Sequence, residues 1–168
     1  MDKISSSLAA QKNWKTMACS RHAAVITEDG HVVCWGSNTR GQCDVPADLE
    51  NVVSVACGFE YTVALTAYGR VVCCGQNTSG QCDVPADLEN VVSIECGCSH
   101  TAALTADGCV VCWGVFLDIP ADLGRIGTIS CNFHQTAVIT AEDKQVWCEK
   151  QYQKRQNLLY QFAMDPGL

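Results

Sequence analysis

The stretch GQCDVPADLENVVS spans Gly41 to Ser54 and returns unchanged at Gly80 to Ser93, 39 positions further on. A degraded third copy, DIPADLGRIGTIS, occupies Asp118 to Ser130. The flanks repeat as well: AAVITEDGHVVCWG (Ala23 to Gly36) aligns with TVALTAYGRVVCCG (Thr62 to Gly75) and TAALTADGCVVCWG (Thr101 to Gly114). A fixed period near 39 residues makes the chain a stack of one supersecondary unit, each copy sharing its core with its neighbours. The units run 13–50, 51–89 and 90–124, and a partial fourth covers 125–149. In that fourth unit RIGTISC (Arg125 to Cys131) answers NVVSIEC (Asn90 to Cys96), and TAVITAEDKQVWC follows at Thr136 to Cys148. The third unit has lost four residues. After Trp113-Gly114 it passes straight to VFLDIP, without the polar loop written SNTRGQC or QNTSGQC in the first two.

Within each unit the signal is β. The runs VVSVAC, TVALTA and RVVCC are rich in β-branched residues and bounded by Gly, Asp and Asn. Asp29-Gly30, Tyr68-Gly69 and Asp107-Gly108 predict hairpin turns with the glycine at positive φ. Along the second run one face carries Ala24/Ile26, Val63/Leu65, Ala102/Leu104 and Ala137/Ile139. The other face stays small at every step, as a strand needs where neighbouring repeats converge. Strands at this period form either propeller blades or solenoid coils, and the period is long for a coil. The fold class expected is therefore all-β, built of propeller blades.

Charge and composition exclude several functions. The net charge is −7, and only Lys150, Lys154 and Arg155 cluster, so nucleic acid is not an expected partner. The longest apolar run, Cys109 to Leu117, is too short to span a bilayer, so no transmembrane segment is expected. The opening MDKISSSLAAQKNWK lacks an apolar signal core. With an odd count of 13 cysteines, that predicts an intracellular, reducing compartment: cytosol, nucleus or an organelle interior. The cysteines follow the repeat, with Cys34, Cys73 and Cys112 equivalent, then Cys43 and Cys82, then Cys57, Cys96 and Cys131. A cysteine that repeats with the fold serves as a small buried hydrophobe. The pairs Cys109-x-x-Cys112 and Cys96-x-Cys98-x-His100 lack a second matching half, so neither a metal nor a cofactor is expected.

Two sets of residues are candidates for contact with a partner. Asp44, Asp48, Asp83 and Asp87 recur with the repeat, alongside Glu50, Glu89, Asp118 and Asp122. Stacked in register they predict an acidic rim, which is either a solvated edge or a docking stripe for a basic partner. The second set lies in a tail at 150–168, where Tyr152, Leu158, Leu159 and Phe162 follow mixed i+3/i+4 spacing before Asp165-Pro166-Gly167. That spacing predicts a C-terminal helix, which either covers the last sheet or enters a groove of another protein. Residues 1–12 read as a polar N-terminal arm. No catalytic residues are expected: His22 and His100 share a strand-start position with Tyr61 and Gln135, as suits packing or hydrogen bonding rather than proton transfer.

The pattern has an owner. HTAALTADGCVVCWG (His100 to Gly114), SNTRGQC (Ser37 to Cys43) and VVSVACG (Val52 to Gly58) together resemble the regulator of chromosome condensation repeat over about 13–148. The resemblance implies a seven-bladed propeller of four-stranded blades, of which this chain holds about three and a half. Members of that family act as a guanine-nucleotide exchange factor on chromatin, a UV-B photoreceptor, parts of ubiquitin ligases and a β-lactamase inhibitor. One fold thus hosts unrelated functions. The photoreceptor's Gly-Trp-Arg-His-Thr motif is answered here by GFEYT from Gly58, GCSHT from Gly97 and NFHQT from Asn132, none with tryptophan. The exchange factor relies on a complete wheel with an inserted wedge, and this acidic chain has no insertion. What remains is a non-catalytic protein–protein interaction module, an accessory or scaffolding subunit of a larger assembly. A protein partner or self-association then completes the propeller arc. A cysteine-based redox or metal-binding protein is the alternative, and an exchange factor ranks behind both.

Overall fold

The computed structural model describes residues 17–18, 21–115, 119–120 and 122–148. The arm at 1–12 and the tail at 150–168, with its expected helix, lie outside the described residues. The rest forms four antiparallel sheets, each of three strands in chain order. The first holds β1 (Met17–Ala18), β2 (His22–Ile26) and β3 (Val32–Gly36), and the second β4 (Val52–Cys57), β5 (Tyr61–Thr66) and β6 (Val71–Gly75). The third holds β7 (Val91–Cys96), β8 (His100–Thr105) and β9 (Val110–Gly114), and the fourth β10 (Ile126–Cys131), β11 (Thr136–Thr140) and β12 (Gln145–Cys148). The all-β blade architecture is thus present, and the fourth unit makes a three-stranded sheet like the others.

Each sheet is a meander whose register follows from its turns. His100 pairs with Gly114 and Leu104 with Val110, and the same residues pair 39 positions earlier as Tyr61 with Gly75 and Leu65 with Val71. The hairpin glycines adopt the left-handed backbone expected of them: φ is +80° at Gly30, +77° at Gly69 and +87° at Gly108. In the fourth sheet Asp143 takes that position with φ 61°. An L-residue there lacks glycine's freedom, though aspartate tolerates the region better than most. A bulge falls at one place in three sheets, between Val52 and Ser54, Val91 and Ser93, and Ile126 and Thr128. It turns Val53 and Val92 out to solvent.

The fourth strand implied for each blade does not form among the described residues. Where it would lie, turns follow one another: Gly41 N–H donates to Asn38 O, Asp44 to Gly41 O, and Leu49 to Pro46 O. Pro46 has no N–H to give a ladder, and the linker is too folded on itself to extend. It ends at Asn51 and Asn90, whose φ values of 57° and 54° reverse the chain into the next first strand.

The core lies in the joints between sheets rather than inside any one. Sheet one packs on two, two on three and three on four, with β4 beside β7 and β7 beside β10. Tyr61, Val63 and Leu65 of the second sheet meet Val91, Ile94, Ala103 and Trp113 of the third. Ala102 and Leu104 then meet Ile126, Ile129, Val138 and Cys148 of the fourth. β5 is buried at all six positions, because each of its faces belongs to a different joint.

Candidate interaction surface

The polar loop after β3 is shaped by its own side chains. Asn38 accepts the Cys43 N–H at Oδ1 (2.8 Å) and donates from Nδ2 to Asp44 Oδ1 (2.8 Å). Gln42, fully buried, accepts the Arg40 N–H at Oε1 (2.9 Å). The second loop repeats all three bonds with Asn77, Asp83 and Gln81, at 2.8, 2.6 and 2.9 Å. The product is a correctly aimed backbone carbonyl. Gln42 O accepts Thr62 Oγ1 at 2.8 Å, and Gln81 O accepts both Thr101 Oγ1 at 2.8 Å and Trp113 Nε1 at 2.9 Å. The Asn-x-x-Gly-Gln loop therefore fastens the first sheet to the second and the second to the third. The sequence pattern named that loop without revealing this role; the only signal was a glutamine recurring beside strands of apolar residues.

A second set of bonds crosses the joints from the strand-start position. His22 Nε2 meets Thr62 Oγ1 at 2.9 Å, and His100 Nε2 meets Thr136 Oγ1 at 3.1 Å. Tyr61 donates its hydroxyl to His100 O and lies 3.2 Å from Gly97 O. These residues are joint fasteners, as their exchange of His, Tyr and Gln predicts. Burial holds the His22 imidazole below the usual histidine range, and its Nδ1 has no partner among the described residues. The third joint is built differently. Unit three has no Gln-bearing loop, and Thr136 is held by His100 and by Cys131 Sγ at 3.2 Å.

The outer flanks of the first and fourth sheets differ from the joints. Trp113 is 9% exposed against the second sheet, whereas Trp35, at the same place in unit one, is 39% exposed. Trp113 therefore packs in the core and Trp35 does not, because no described sheet precedes Trp35. On the opposite side Val32/Cys34, Val71/Cys73 and Val110/Cys112 pack toward the next sheet. Their counterparts in the fourth sheet are Gln145 and Trp147, and Trp147 is 53% exposed.

At the end of the sheets where these loops gather, Arg21 stacks over Phe59 at 4.8 Å and pairs with the buried Glu60 at 2.7 Å. Arg40 approaches the other Glu60 oxygen at 3.7 Å. Phe59 meets Phe133 edge-on at 6.1 Å, and Phe133 is 56% exposed. This aromatic and cationic patch draws on three units, which is why no local pattern announces it.

Of the acids proposed for contact, Asp44 and Asp83 are bonded by Asn38 and Asn77, while Asp48 and Asp87 are exposed in the linkers. Asp87 also lines a cavity of 450 Å³ with Pro85, Leu88, Glu89, Asp107 and Cys109. Tyr152, Leu158, Leu159 and Phe162 lie outside the described residues. Among the described residues no group of three or more His, Cys, Asp or Glu side chains is placed to hold a metal ion. No described helix is long and apolar enough to cross a membrane. Burial holds four thiols in their protonated form, pushing Cys34 up to about 11 and Cys74, Cys112 and Cys131 up to about 12. The neighbouring Cys73 holds the Cys82 thiol below its ordinary value.

The regulator of chromosome condensation (RCC1) repeat matches the chain over residues 20–42, 52–81 and 91–115. No curated protein sequence matches it. Among solved structures it is similar to Prp20p from Saccharomyces cerevisiae, with TM-score 0.68 and 17% identity over 82% of this chain and 45% of that one. Human WBSCR16 gives TM-score 0.65 and 22% identity, over 76% and 44%. The CRINKLY ectodomain of the Arabidopsis thaliana receptor kinase ACR4 gives 0.69 and 18%, over 84% and 52%. The chain thus spans about half the length of these solved relatives. The chain thus carries three RCC1 repeats, on sheets with the fold of RCC1 blades.

Proposed function

We propose that this chain is a non-catalytic protein–protein interaction module, an intracellular accessory or scaffolding subunit whose outer flanks are completed by another protein. The observation that carries this is the exposure of Trp35 and Trp147 at positions that sit inside the joints of neighbouring sheets. Tryptophan is the residue most enriched where a few contacts dominate binding, and large exposed apolar groups mark contact surfaces. Solved relatives support an interaction role: Prp20p is described with binding to Gsp1p and histones, and yeast RCC1 was solved bound to Kap60. Asp44, Asp48, Asp83 and Asp87 then serve as an acidic margin, and Tyr152, Leu158, Leu159 and Phe162 as a further apolar contact.

Sedimentation of the full chain at micromolar concentration tests this, together with the proteins that co-purify with it from its native source. The expected result is stable association, either with a stoichiometric protein or with itself, that Trp35→Ala and Trp147→Ala each weaken by about tenfold or more. A stable monomer with no stoichiometric companion, indifferent to both substitutions, overturns it.

A further inference from the structure

One position sets the third unit apart from its sisters. The residue that follows each hairpin turn is His31, Arg70, Cys109 and Lys144 in the four units. The backbone there is the same throughout, its carbonyl accepting the N–H of Thr27, Thr66, Thr105 and Thr140 at 2.9, 2.9, 2.9 and 3.0 Å. Three units thus place a nitrogen-bearing side chain at this corner, and the third places a thiol. In the first unit that side chain answers the turn's own acid, with His31 Nε2 lying 3.8 Å from Asp29 Oδ2. The third unit keeps the acid as Asp107, but there Cys109 Sγ is the neighbour, 3.6 Å from Asp107 Oδ2.

The exchange coincides with a groove. The linker DVPADLEN is written identically before β4, as Asp44 to Asn51, and before β7, as Asp83 to Asn90. In the unit with Arg70 its leucine, Leu49, is buried, whereas in the unit with Cys109 the same leucine, Leu88, is only half-buried. The other change at the hairpin tip, Asp107 for Tyr68, does not account for this, because Tyr68 stands 82% exposed. The 450 Å³ cavity lies at this place and combines apolar Pro85, Leu88 and Val111 with the exposed carboxylates of Asp87, Glu89 and Asp107. Among the described residues no basic side chain lines it, and Arg125 at its edge is engaged with Ala106 O at 3.1 Å.

We infer that this groove is a docking pocket for an arginine side chain of a partner protein. The three carboxylates offer acceptors to the guanidinium fork, and the apolar residues cover its methylene stem. Sister units carry their own cation at this corner, and the third leaves it to an outside chain. A cavity of this size falls in the range of small-ligand pockets, so it takes the side chain with a short stretch of peptide. The site shares Asp87 with the acidic margin, yet it does not rest on the covering of Trp35 and Trp147. Trp35→Ala and Trp147→Ala leave it intact.

The test titrates the full chain, labelled with nitrogen-15, with the peptide acetyl-Gly-Arg-Gly-amide and with its citrulline counterpart, which keeps the shape and lacks the charge. Saturable shifts are expected at the amides of Leu88, Ala106 and Asp107, with the citrulline peptide weaker by about tenfold. The amides of Leu49 and Ala67, in the unit that has Arg70, stay in place. Cys109→Arg supplies the cation from within and abolishes binding. Asp107→Asn and Glu89→Gln, both at exposed positions, each weaken it by about two- to fivefold. Equal affinity for the two peptides, no saturable shift, shifts at Leu49 and Ala67 instead, or binding that survives both Cys109→Arg and Asp107→Asn overturns the inference. Binding that appears only when Lys150→Gln, Lys154→Gln and Arg155→Gln are combined assigns the groove to the chain's own tail. A dimer that Cys109→Arg dissociates assigns it to a second copy. Either result overturns a partner's arginine as the occupant.

Discussion

Trp113 and Trp35 occupy the same place in two copies of one unit, yet one is buried in a joint and the other stands on a flank. Trp113 gives its indole N–H to Gln81 O at 2.9 Å and packs with Tyr61 and Leu65, whereas Trp35 has no described sheet to meet. The repeat thus specifies one half of a joint, and a neighbour supplies the other. The fourth sheet sharpens this. Facing the third sheet it keeps Ile129, Val138 and Cys148 buried, while its outward side replaces the valine and cysteine of other units by Gln145 and Trp147. A side rewritten in this way does not reproduce the ordinary joint, which favours a distinct protein surface over a second copy docked in the same register.

The largest expected effect breaks the comparison directly. Trp113→Ala removes a fully packed indole and leaves Gln81 O short of a donor, so it destabilises by about 3–5 kcal/mol. Trp35→Ala costs under about 1 kcal/mol in the isolated chain, because its ring is already in water in part. Urea unfolding of both variants measures the gap, and equal losses would mean that the first sheet has a hidden neighbour.

The hairpins offer the next contrast, Gly108 against Asp143. A β-branched side chain at φ +87° is strained, and a Cβ there would come within 2.2 Å of the Arg125 side chain. Gly108→Val is therefore expected to cost about 2–3 kcal/mol. Asp143→Gly relieves a left-handed aspartate and changes stability by less than about 1 kcal/mol, in the stabilising direction. A denaturant series in which Gly108→Val is neutral would remove the left-handed turn.

Much of this fold is legible in the sequence because it depends on short-range rules. Alternation, the Asp-Gly turns and the 39-residue period set the strands, their order and the sheets' succession. The fastening by Gln42 and Gln81 was not legible, since a buried glutamine side chain looks like any loop residue until the chain folds round it. The same holds for the Arg21, Phe59 and Phe133 patch, whose members are 38 and 74 residues apart and meet only after all four sheets have stacked. The surroundings of Trp35 are hidden for a related reason: equivalence in the repeat is not equivalence in surroundings, and the end sheets are where the two part company.

Joints with and without the polar loop can be compared by Gln81→Ala. Its buried amide shapes the loop that presents Gln81 O to Trp113 and Thr101, and losing it is expected to cost about 1–2 kcal/mol. Trp113→Ala in that background then costs less than it does alone, because both act through one carbonyl. Simple additivity in the double variant would show that the loop does not position the acceptor.

The smallest effect concerns the strand-start position, where His22 and Gln135 are counterparts. His22 is buried, and desolvation lowers its pKa, so the folded chain favours the neutral ring that meets Thr62 at 2.9 Å. The unfolded chain titrates near the ordinary value of about 6.5. Above that value both states are neutral and the contribution of the neutral ring is fully present. As pH falls through about 6.5 the unfolded state takes up a proton that the folded state resists, so stability is lost toward the depressed folded pKa. Lowering pH from about 7.5 to about 5.5 should therefore reduce the urea midpoint more in the parent chain than in His22→Gln, which carries the amide that unit four uses. Identical pH slopes for the two proteins would mean that His22 shares its proton equally between folded and unfolded states, and the first joint would then owe nothing to a neutral imidazole.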